Sequence, residues 1–155
     1  MQTEKNYPIA QLTDEAVGLL KQLISIPSVS REEKEAADAL QQYIEQQGIS
    51  TGRSGNNVWC FSPGFDTSRP TLLLNSHIDT VKPVAGWMKQ PLKPQLESNG
   101  KLYGLGSNDA GASVVSLLQT FIALSGTQQR YNLIFLASCE EEVSGKGGIE
   151  AALPV

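Results

Sequence analysis

Two mostly apolar runs constrain what this 155-residue chain can fold into more than any other feature of its sequence. The runs are "TLLLNSHID" (71–79) and "YNLIFLASC" (131–139), and each turns polar at its end. Continuous runs of this kind are typical of strands that are buried on both faces, in sheets covered by helices. The polar ends indicate that each strand finishes at the carboxyl edge of a sheet, where open α/β folds form their sites.

Two helical patterns precede the first run. Residues 13–26 form an amphipathic pattern, and a second helix is predicted over 31–47. Ser30 and Glu33 have the spacing of a capping box at the start of the second helix. Gly48 supplies a stop signal at its end.

Shorter elements fill the rest of the chain. Strands are predicted at 56–61 and 101–106, a helix at 110–125, and the start of another helix at 147–155. Because helices and buried strands alternate, we predict an α/β layered fold with a largely parallel sheet. The chain stops within a predicted helix, so we expect residues 1–155 to be the N-terminal part of a larger protein.

Composition and charge exclude several classes of partner. The net charge is −4 and the sequence has no basic cluster to neutralise phosphates, which argues against nucleic acid. No apolar run approaches the roughly 18 residues that a membrane span needs, and the first residues lack a signal-peptide pattern. Cys60 and Cys139 do not form a disulfide framework, so we expect buried thiols in a reducing cytoplasm.

The chain's single histidine lies at the end of the first apolar run. His77 and Asp79 are two positions apart, so on an extended chain their side chains leave the same face. This spacing suits a metal-bound imidazole whose other ring nitrogen donates to a carboxylate. Taken alone, however, the pattern is more often a strand-end histidine that hydrogen-bonds to a nearby carboxylate.

Asp109 lies in "GLGSNDAGA", between a short strand and a helix. Taken alone, it is best explained as the N-cap of the helix that follows. A dinucleotide-binding corner would need its third glycine at position 109, where this chain has an aspartate. A carboxylate facing a pyrophosphate is the wrong chemistry, so we reject a dinucleotide site.

Three glutamates, Glu140–Glu142, directly follow the second apolar run. Such a triplet is usually a solvated charge run, but this one follows a strand that must be buried. Carboxylates grouped at strand ends repel one another and lose hydration, and a divalent cation is the usual compensation. A cysteine hydrolase with Cys139 as nucleophile and His77 as base is the alternative. We disfavour it because neighbouring carboxylates raise the pKa of a thiol.

Together these segments resemble the zinc-dependent amidohydrolases of the M20 family, which include acetylornithine deacetylases, succinyl-diaminopimelate desuccinylases, aminoacylases and carboxypeptidases. "HIDTV" is similar to the family's H-x-D-T/V-V, and "GWMKQPLKPQLESNGKLYGLG" to its W-x-x-x-P-F…G-x-L-Y-G-R-G. "NDAGA" is similar to its D-x-K-G, and "EEEVSGKGG" to its D-E-E-x-G-x-x-G. "GLGSNDAGA" looks most like the acetylornithine deacetylase branch of arginine biosynthesis, including its N-succinylornithine-acting variants.

The resemblance implies a zinc-peptidase-like catalytic domain with three α/β/α layers, incomplete in this chain, and a site for two zinc ions, with cobalt or manganese as alternatives. In this site Asp109 bridges both metals, Asp79 orients the histidine and Glu141 is the general base. Glu140 receives no direct role. The implied metal ligands are His77, Asp109 and Glu142. Family members often have a cis peptide bond after the bridging aspartate, so we predict one after Asp109.

The resemblance also implies a cytoplasmic, homodimeric deacylase that removes an acetyl or succinyl group from an N-acyl amino acid such as N-acylornithine, by means of a metal-bridging hydroxide. A dipeptidase or aminopeptidase of the same family, and a non-catalytic structural fragment, remain open alternatives. The family's second metal-binding histidine, a further acidic ligand and its lid or dimerisation domain have no counterpart within 1–155. We therefore expect this chain to be inactive by itself.

Overall fold

The computed structural model describes residues 8–127 and 129–153. None of the helices in these ranges combines the length and the apolar character that spanning a bilayer requires. The helices are α1 (Ile9–Ile24), α2 (Lys34–Gln46), α3 (Ala112–Ser125) and α4 (Ile149–Ala152). The strands are β1 (Thr51–Ser54), β2 (Asn57–Phe61), β3 (Thr71–His77), β4 (Gln95–Leu96), β5 (Leu102–Tyr103) and β6 (Asn132–Ser138).

The main sheet has four strands in the order β1-β2-β6-β3. Strands β3 and β6 pair in parallel, while β1 with β2 and β2 with β6 pair in antiparallel fashion. The predicted α/β class is confirmed, with a mixed sheet. Strand β1, "TGRS", was not predicted because it lacks an apolar pattern; it forms a hairpin with β2.

The core lies between one face of this sheet and helices α1, α2 and α3. It includes Leu40, Val58, Leu118, Phe121 and Phe135, none of which is exposed to solvent. Strand β6 is buried along most of its length because it has a neighbour on each side. Strand β3 is at the edge of the described sheet, where its first three residues are exposed and the other four are only half-buried, so the prediction of a buried strand is wrong for β3.

Helix α1 begins one turn earlier than predicted and ends before residue 26. Its first residue is Ile9, after Pro8, rather than residue 13. Proline lacks the N–H that would be unpaired at a helix start and is therefore tolerated there. Thr13 lies inside the helix, where its hydroxyl donates to the carbonyl of Ile9 at 2.8 Å.

The predicted capping box at the start of α2 is wrong. Arg31 has a φ of 76°, which is incompatible with a right-handed helix, and α2 begins at Lys34. The Ser30 hydroxyl donates to the Asp79 carboxylate, while the Glu33 carboxylate accepts the N–H of Glu140. Both side chains of the predicted capping box, Ser30 and Glu33, therefore form tertiary hydrogen bonds instead of capping the helix. The stop at Gly48, whose φ is 76°, is as predicted.

Helix α3 begins at Ala112, after an irregular turn over Ser107–Gly111. The Asp109 side chain makes no capping hydrogen bond to α3, so its interpretation as an N-cap is wrong. The Asp109–Ala110 peptide bond is cis, as predicted. Of the strand predicted at 101–106, the structure retains the two residues of β5, which pair with β4 in a separate small sheet. The last helix begins at Ile149, and residues 154 and 155 lie outside the described ranges.

Candidate metal centre

The pairing of β3 with β6 brings the polar ends of the two apolar runs together. In the parallel register His77 lies opposite Ser138, so the residues that follow β6 emerge beside the histidine. The turn that carries Asp109 lies over the same edge, where the Ser76 hydroxyl donates to the carbonyl of Ala110 at 3.4 Å. Three segments that are distant in sequence thus meet at one edge of the sheet.

His77, Asp109 and Glu142 form a compact group of oxygen and nitrogen donors. One ligand atom from each residue can be chosen so that all three lie within 4.8 Å of one another. His77 Nε2 is 3.1 Å from Asp109 Oδ1. The His77 side chain is 11% exposed and that of Asp109 is 75% exposed, so the group opens to solvent on the aspartate side.

Glu141 lies beside this group. Its Oε2 is 3.7 Å from His77 Nε2, and its side chain is 59% exposed. Two adjacent glutamates reach one site because the chain leaves the extended conformation at Glu140, whose φ is 54°, and then forms a short 3-10 turn over Glu141–Val143. The sequence required such a break, since neighbouring side chains on a strand point to opposite faces.

The histidine ring is held from its other side. His77 Nδ1 is 3.1 Å from the backbone carbonyl oxygen of Asp79 and 3.4 Å from its carboxylate Oδ1. Both are acceptors, so Nδ1 carries the hydrogen and Nε2 faces Asp109. The hydrogen bond with Asp79, together with the charges of Asp79 and Glu141, raises the pKa of His77 to about 9 despite its burial. In the metal-free protein a proton therefore occupies Nε2 at neutral pH.

Asp79 organises two parts of the centre at once. Its carboxylate is fully buried and accepts hydrogen bonds from the Ser30 hydroxyl at 2.6 Å and from the N–H groups of Glu142 and Glu141 at 3.0 and 3.1 Å. Burial alone would raise the pKa of Asp79, but the hydrogen bonds from His77, Ser30 and these two N–H groups lower it to about 2. Sequence reasoning missed Ser30, and no local signal separates it from a helix cap.

Cys139 is not suited to act as a nucleophile. Its side chain is buried, and Sγ donates to the carbonyl of Gly147 at 3.2 Å. Burial, with the charges of Glu33 and Glu140, raises the pKa of the thiol to about 11. The thiol is thus protonated at neutral pH and is bonded to Gly147, which argues against the cysteine-hydrolase alternative. Cys60 is also free and buried, as predicted.

The donor set fits a divalent cation. Among the described residues, the salt bridges give Asp109, Glu141 and Glu142 no lysine or arginine partner, although the three carboxylates lie together. Burial and the charges of Asp109, Asp79 and Glu141 raise the pKa of Glu142 despite the opposing charge of His77, as expected where carboxylates outnumber the cations beside them. Carboxylates and an imidazole are ligands that zinc, manganese and cobalt accept.

A shallow cavity of about 330 Å³ opens beside the donor group. It is lined by both polar and apolar side chains, including Trp87, Leu105, Asp109 and Glu142. A larger apolar cavity of about 510 Å³ lies between α1 and α3, and none of the donor residues lines it. The smaller cavity is therefore the one in which a ligand could reach the donor group.

Comparison with known proteins identifies the family. The model of peptidase family M20/M25/M40 matches residues 73–154, which is more than half of the chain. This chain belongs to peptidase family M20/M25/M40. The matched range includes both polar strand ends and the Asp109 turn. Family membership and the resemblance in the sequence motifs therefore agree.

Similar proteins include a succinyl-diaminopimelate desuccinylase of Delftia acidovorans, 31% identical over 83% of this chain and 36% of that protein. A probable carboxypeptidase of Emericella nidulans is 30% identical over 84% of this chain and 32% of that protein. Among solved structures, the YXEP protein of Bacillus subtilis, a dinuclear metal binding peptidase of the M20 family, matches with a TM-score of 0.66 and 17% identity over 94% of this chain and 39% of that one. The chain thus spans about a third of the length of the curated relatives that it matches.

Proposed function

We propose that the protein containing this chain is a metal-dependent amide hydrolase that removes an acyl group, acetyl or succinyl, from an N-acyl amino acid. The observation that carries the proposal is the convergence of His77, Asp109 and Glu142 within 4.8 Å, beside a further glutamate. Membership of the M20 family supports a hydrolase. The similarity to a desuccinylase supports an acyl substrate of this kind.

Each residue of the donor group has a role in this proposal. His77 Nε2, the Asp109 carboxylate and the Glu142 carboxylate would hold the divalent metal, and Asp109 would be the ligand common to two ions. Zinc is our first choice, with cobalt or manganese as alternatives. When bound, the metal supplies a water of lowered pKa and polarises the scissile carbonyl. Asp79 fixes the imidazole ring so that Nε2 remains directed at the site.

Glu141 is the proposed general base. Its carboxylate is near His77 but largely exposed, so it can reach a water without giving up a buried hydrogen bond. It takes the proton of the attacking water and passes it to the leaving amine, so that a carboxylate and a free amino acid are released. Asp79 assists by holding the N–H of Glu141, which sets the position of the base.

The substrate is proposed to enter through the cavity beside Asp109 and Glu142. Trp87 and Leu105 give this cavity an apolar wall against which an acyl chain can pack. Among acyl amino acids we propose N-acetyl- or N-succinylornithine, as in the acetylornithine deacetylase branch, with arginine biosynthesis in the cytoplasm as the context. The relative named as a probable carboxypeptidase makes peptide hydrolysis, by a dipeptidase or a related enzyme, the second candidate.

We further propose that residues 1–155 are the N-terminal portion of a catalytic domain, and that a lid or dimerisation domain and the rest of the metal site belong to other parts of a homodimeric protein. The support is the share of the curated relatives that the chain spans, 36% and 32%. A second support is that the sequence has one histidine, which leaves a second metal ion short of an imidazole ligand.

The proposal is tested on the whole protein by metal analysis combined with substrate profiling. Purified protein is assayed for bound zinc, and its turnover of N-acetylornithine, N-succinylornithine, N-succinyl-diaminopimelate and simple dipeptides is compared with and without a chelator. We expect chelator-sensitive release of the acyl group. Turnover of dipeptides alone would favour the second candidate, and the absence of both metal and turnover would reject the hydrolase.

A further inference from the structure

A second buried carboxylate lies behind the metal centre. Glu33 is fully buried, and Oε1 accepts the N–H of Arg31 at 2.6 Å and the N–H of Glu140 at 3.1 Å. Oε2 accepts from Nδ2 of Asn56 at 2.9 Å. A buried carboxylate is costly unless it is hydrogen-bonded. The three donors come from three separate segments of the chain, so Glu33 joins the start of α2, the β1–β2 hairpin and the end of β6.

Glu140, which Glu33 contacts, is itself fixed in place. Its backbone has φ 54° and ψ 24°, the left-handed conformation that ends β6. Its side chain folds back into the following loop, where the N–H of Gly147 donates to Oε2 at 3.3 Å. A Cβ at Gly145 or Gly147 would overlap this carboxylate, so the loop closes tightly around it. Glu140 is therefore part of a packed loop and not part of a solvated charge run.

The backbone N–H groups of Glu140, Glu141 and Glu142 are all held by buried carboxylates. Glu33 accepts the first, and Asp79 accepts the second and the third. With their N–H groups turned inward, these residues can direct the side chains of Glu141 and Glu142 toward His77. Removal of either carboxylate would leave buried N–H groups unpaired, which is costly. The turn would then relax.

We propose that Glu33 is a positioning residue of the metal centre. It holds the first N–H of the Glu140–Glu142 turn and thereby directs the Glu142 carboxylate toward His77 and Asp109. Glu33 touches neither these ligands nor the cavity beside them. The inference rests on the proposed function, because it assigns Glu33 to the same metal site.

The test compares zinc affinity in the whole protein, measured by competition with a chromophoric chelator. Loss of a group that orients metal ligands typically weakens metal binding about 10–100-fold. We expect a loss in this range for Glu33→Ala and Glu33→Gln. The matched control is Asn132→Ala. Asn132 is also buried and clamps a loop, through Asp66, but at the opposite end of β6. The Asn132→Ala variant should have a lower melting temperature and an unchanged zinc affinity.

A rescue experiment separates positioning from general loss of stability. In one orientation of Glu33→Gln the new NH₂ group faces the two backbone N–H groups, so donors meet donors. In the other it faces Asn56, whose amide must flip to accept and then turns its own NH₂ group toward Arg53 Nη2, losing the bond that its oxygen accepts there. Asn56→Asp alone sets two carboxylates against each other. In the double variant Glu33→Gln/Asn56→Asp the amide can donate to the new carboxylate, and its oxygen can still accept both N–H groups. We expect each single variant to weaken zinc binding and the double variant to restore most of it.

The outcomes are distinguishable. If the wild-type protein binds no zinc, the proposed metal centre fails, and this inference with it. If the wild type binds zinc and both Glu33 variants bind it as tightly, at whatever melting temperature, Glu33 has only a structural role and the inference is overturned. If Glu33→Ala does not fold, the glutamine variant and its rescue decide. Failure of the double variant to recover zinc affinity would also overturn the inference.

Discussion

Replacement of Asp79 with asparagine tests how the two halves of the centre are held together. The Asp79 carboxylate accepts from the Ser30 hydroxyl at 2.6 Å, from the N–H of Glu142 at 3.0 Å and from the N–H of Glu141 at 3.1 Å. Its Oδ1 also lies 3.4 Å from His77 Nδ1. Asparagine has the same shape, but an NH₂ group that only donates replaces one accepting oxygen.

In either orientation of the new amide, its NH₂ group faces groups that are themselves hydrogen-bond donors. At the Oδ1 position the NH₂ group faces the N–H of Glu141 and His77 Nδ1. At the Oδ2 position it faces Ser30 and the N–H of Glu142, which costs less because the serine hydroxyl can turn and accept. One hydrogen bond to a charged group is then lost, and such a bond contributes about 1.5–3 kcal/mol. The remaining hydrogen bonds to residue 79 are weakened because asparagine carries no charge. We therefore expect the free energy of unfolding to fall by about 2–4 kcal/mol.

The same substitution should change the dependence of stability on pH. In the metal-free protein the hydrogen bond with Asp79 raises the pKa of His77 from 6.5 to about 9. A raised pKa means that the charged pair stabilises the fold fully below pH 6.5, and that this contribution is lost as the pH rises through about 9. Asp79→Asn lacks the carboxylate but keeps the charge of Glu141 and the backbone carbonyl that also raise the pKa of His77, so its free energy of unfolding should show a smaller alkaline decline.

The assay is urea denaturation of the metal-free whole protein, followed by circular dichroism at neutral and alkaline pH. Ser30→Ala is the matched control because it removes one hydrogen bond to the same carboxylate and leaves the charge in place. We expect it to cost about 1.5 kcal/mol and to keep the alkaline decline. If Asp79→Asn is no less stable than Ser30→Ala, or if it keeps the same alkaline decline, the Asp79 carboxylate does not hold the two halves of the centre together and the reasoning is refuted.

Three further predictions concern the metal centre. In the whole protein Glu141→Ala should keep most of the metal and lose turnover by about 10²–10⁴-fold, the usual contribution of a general base; metal loss in this variant but not in Glu142→Ala would mean that the two roles are exchanged. Because the hydrogen bond with Asp79 raises the pKa of His77 to about 9, a metal must displace a proton from Nε2, so zinc affinity should rise with pH up to about 9. Calorimetry in buffers of different ionisation enthalpy measures how many protons are released on zinc binding. A zinc affinity that does not change with pH would contradict the displacement of a proton from His77. The chain 1–155 alone should show almost no deacylation in the presence of zinc, and robust turnover by it would contradict the view that ligands outside it are needed.

The strand ends were predictable because local chemistry fixes them. Each mostly apolar run becomes polar where its strand ends, at His77 in β3 and after Ser138 in β6, which is typical of strands that finish at the carboxyl edge of a sheet. The early start of α1 and the unpredicted strand β1 show the limits of this reasoning. Proline is tolerated at a helix start, a local signal that the apolar pattern from residue 13 does not contain, whereas β1 takes its structure from its pairing with β2.

The sequence by itself determined that the single histidine and the glutamate triplet follow two mostly apolar strands and that Asp109 lies between a short strand and a helix, because polarity is encoded residue by residue. Only the tertiary structure decided which of them meet, since that depends on the register of β3 against β6 and on the turn at Asp109. The same holds for Ser30 and Glu33. Their spacing is that of a helix cap, but their partners are 49 and 107 positions away, at Asp79 and Glu140. A hydrogen bond across such a distance in the chain exists only once the fold has formed, and no local pattern contains it.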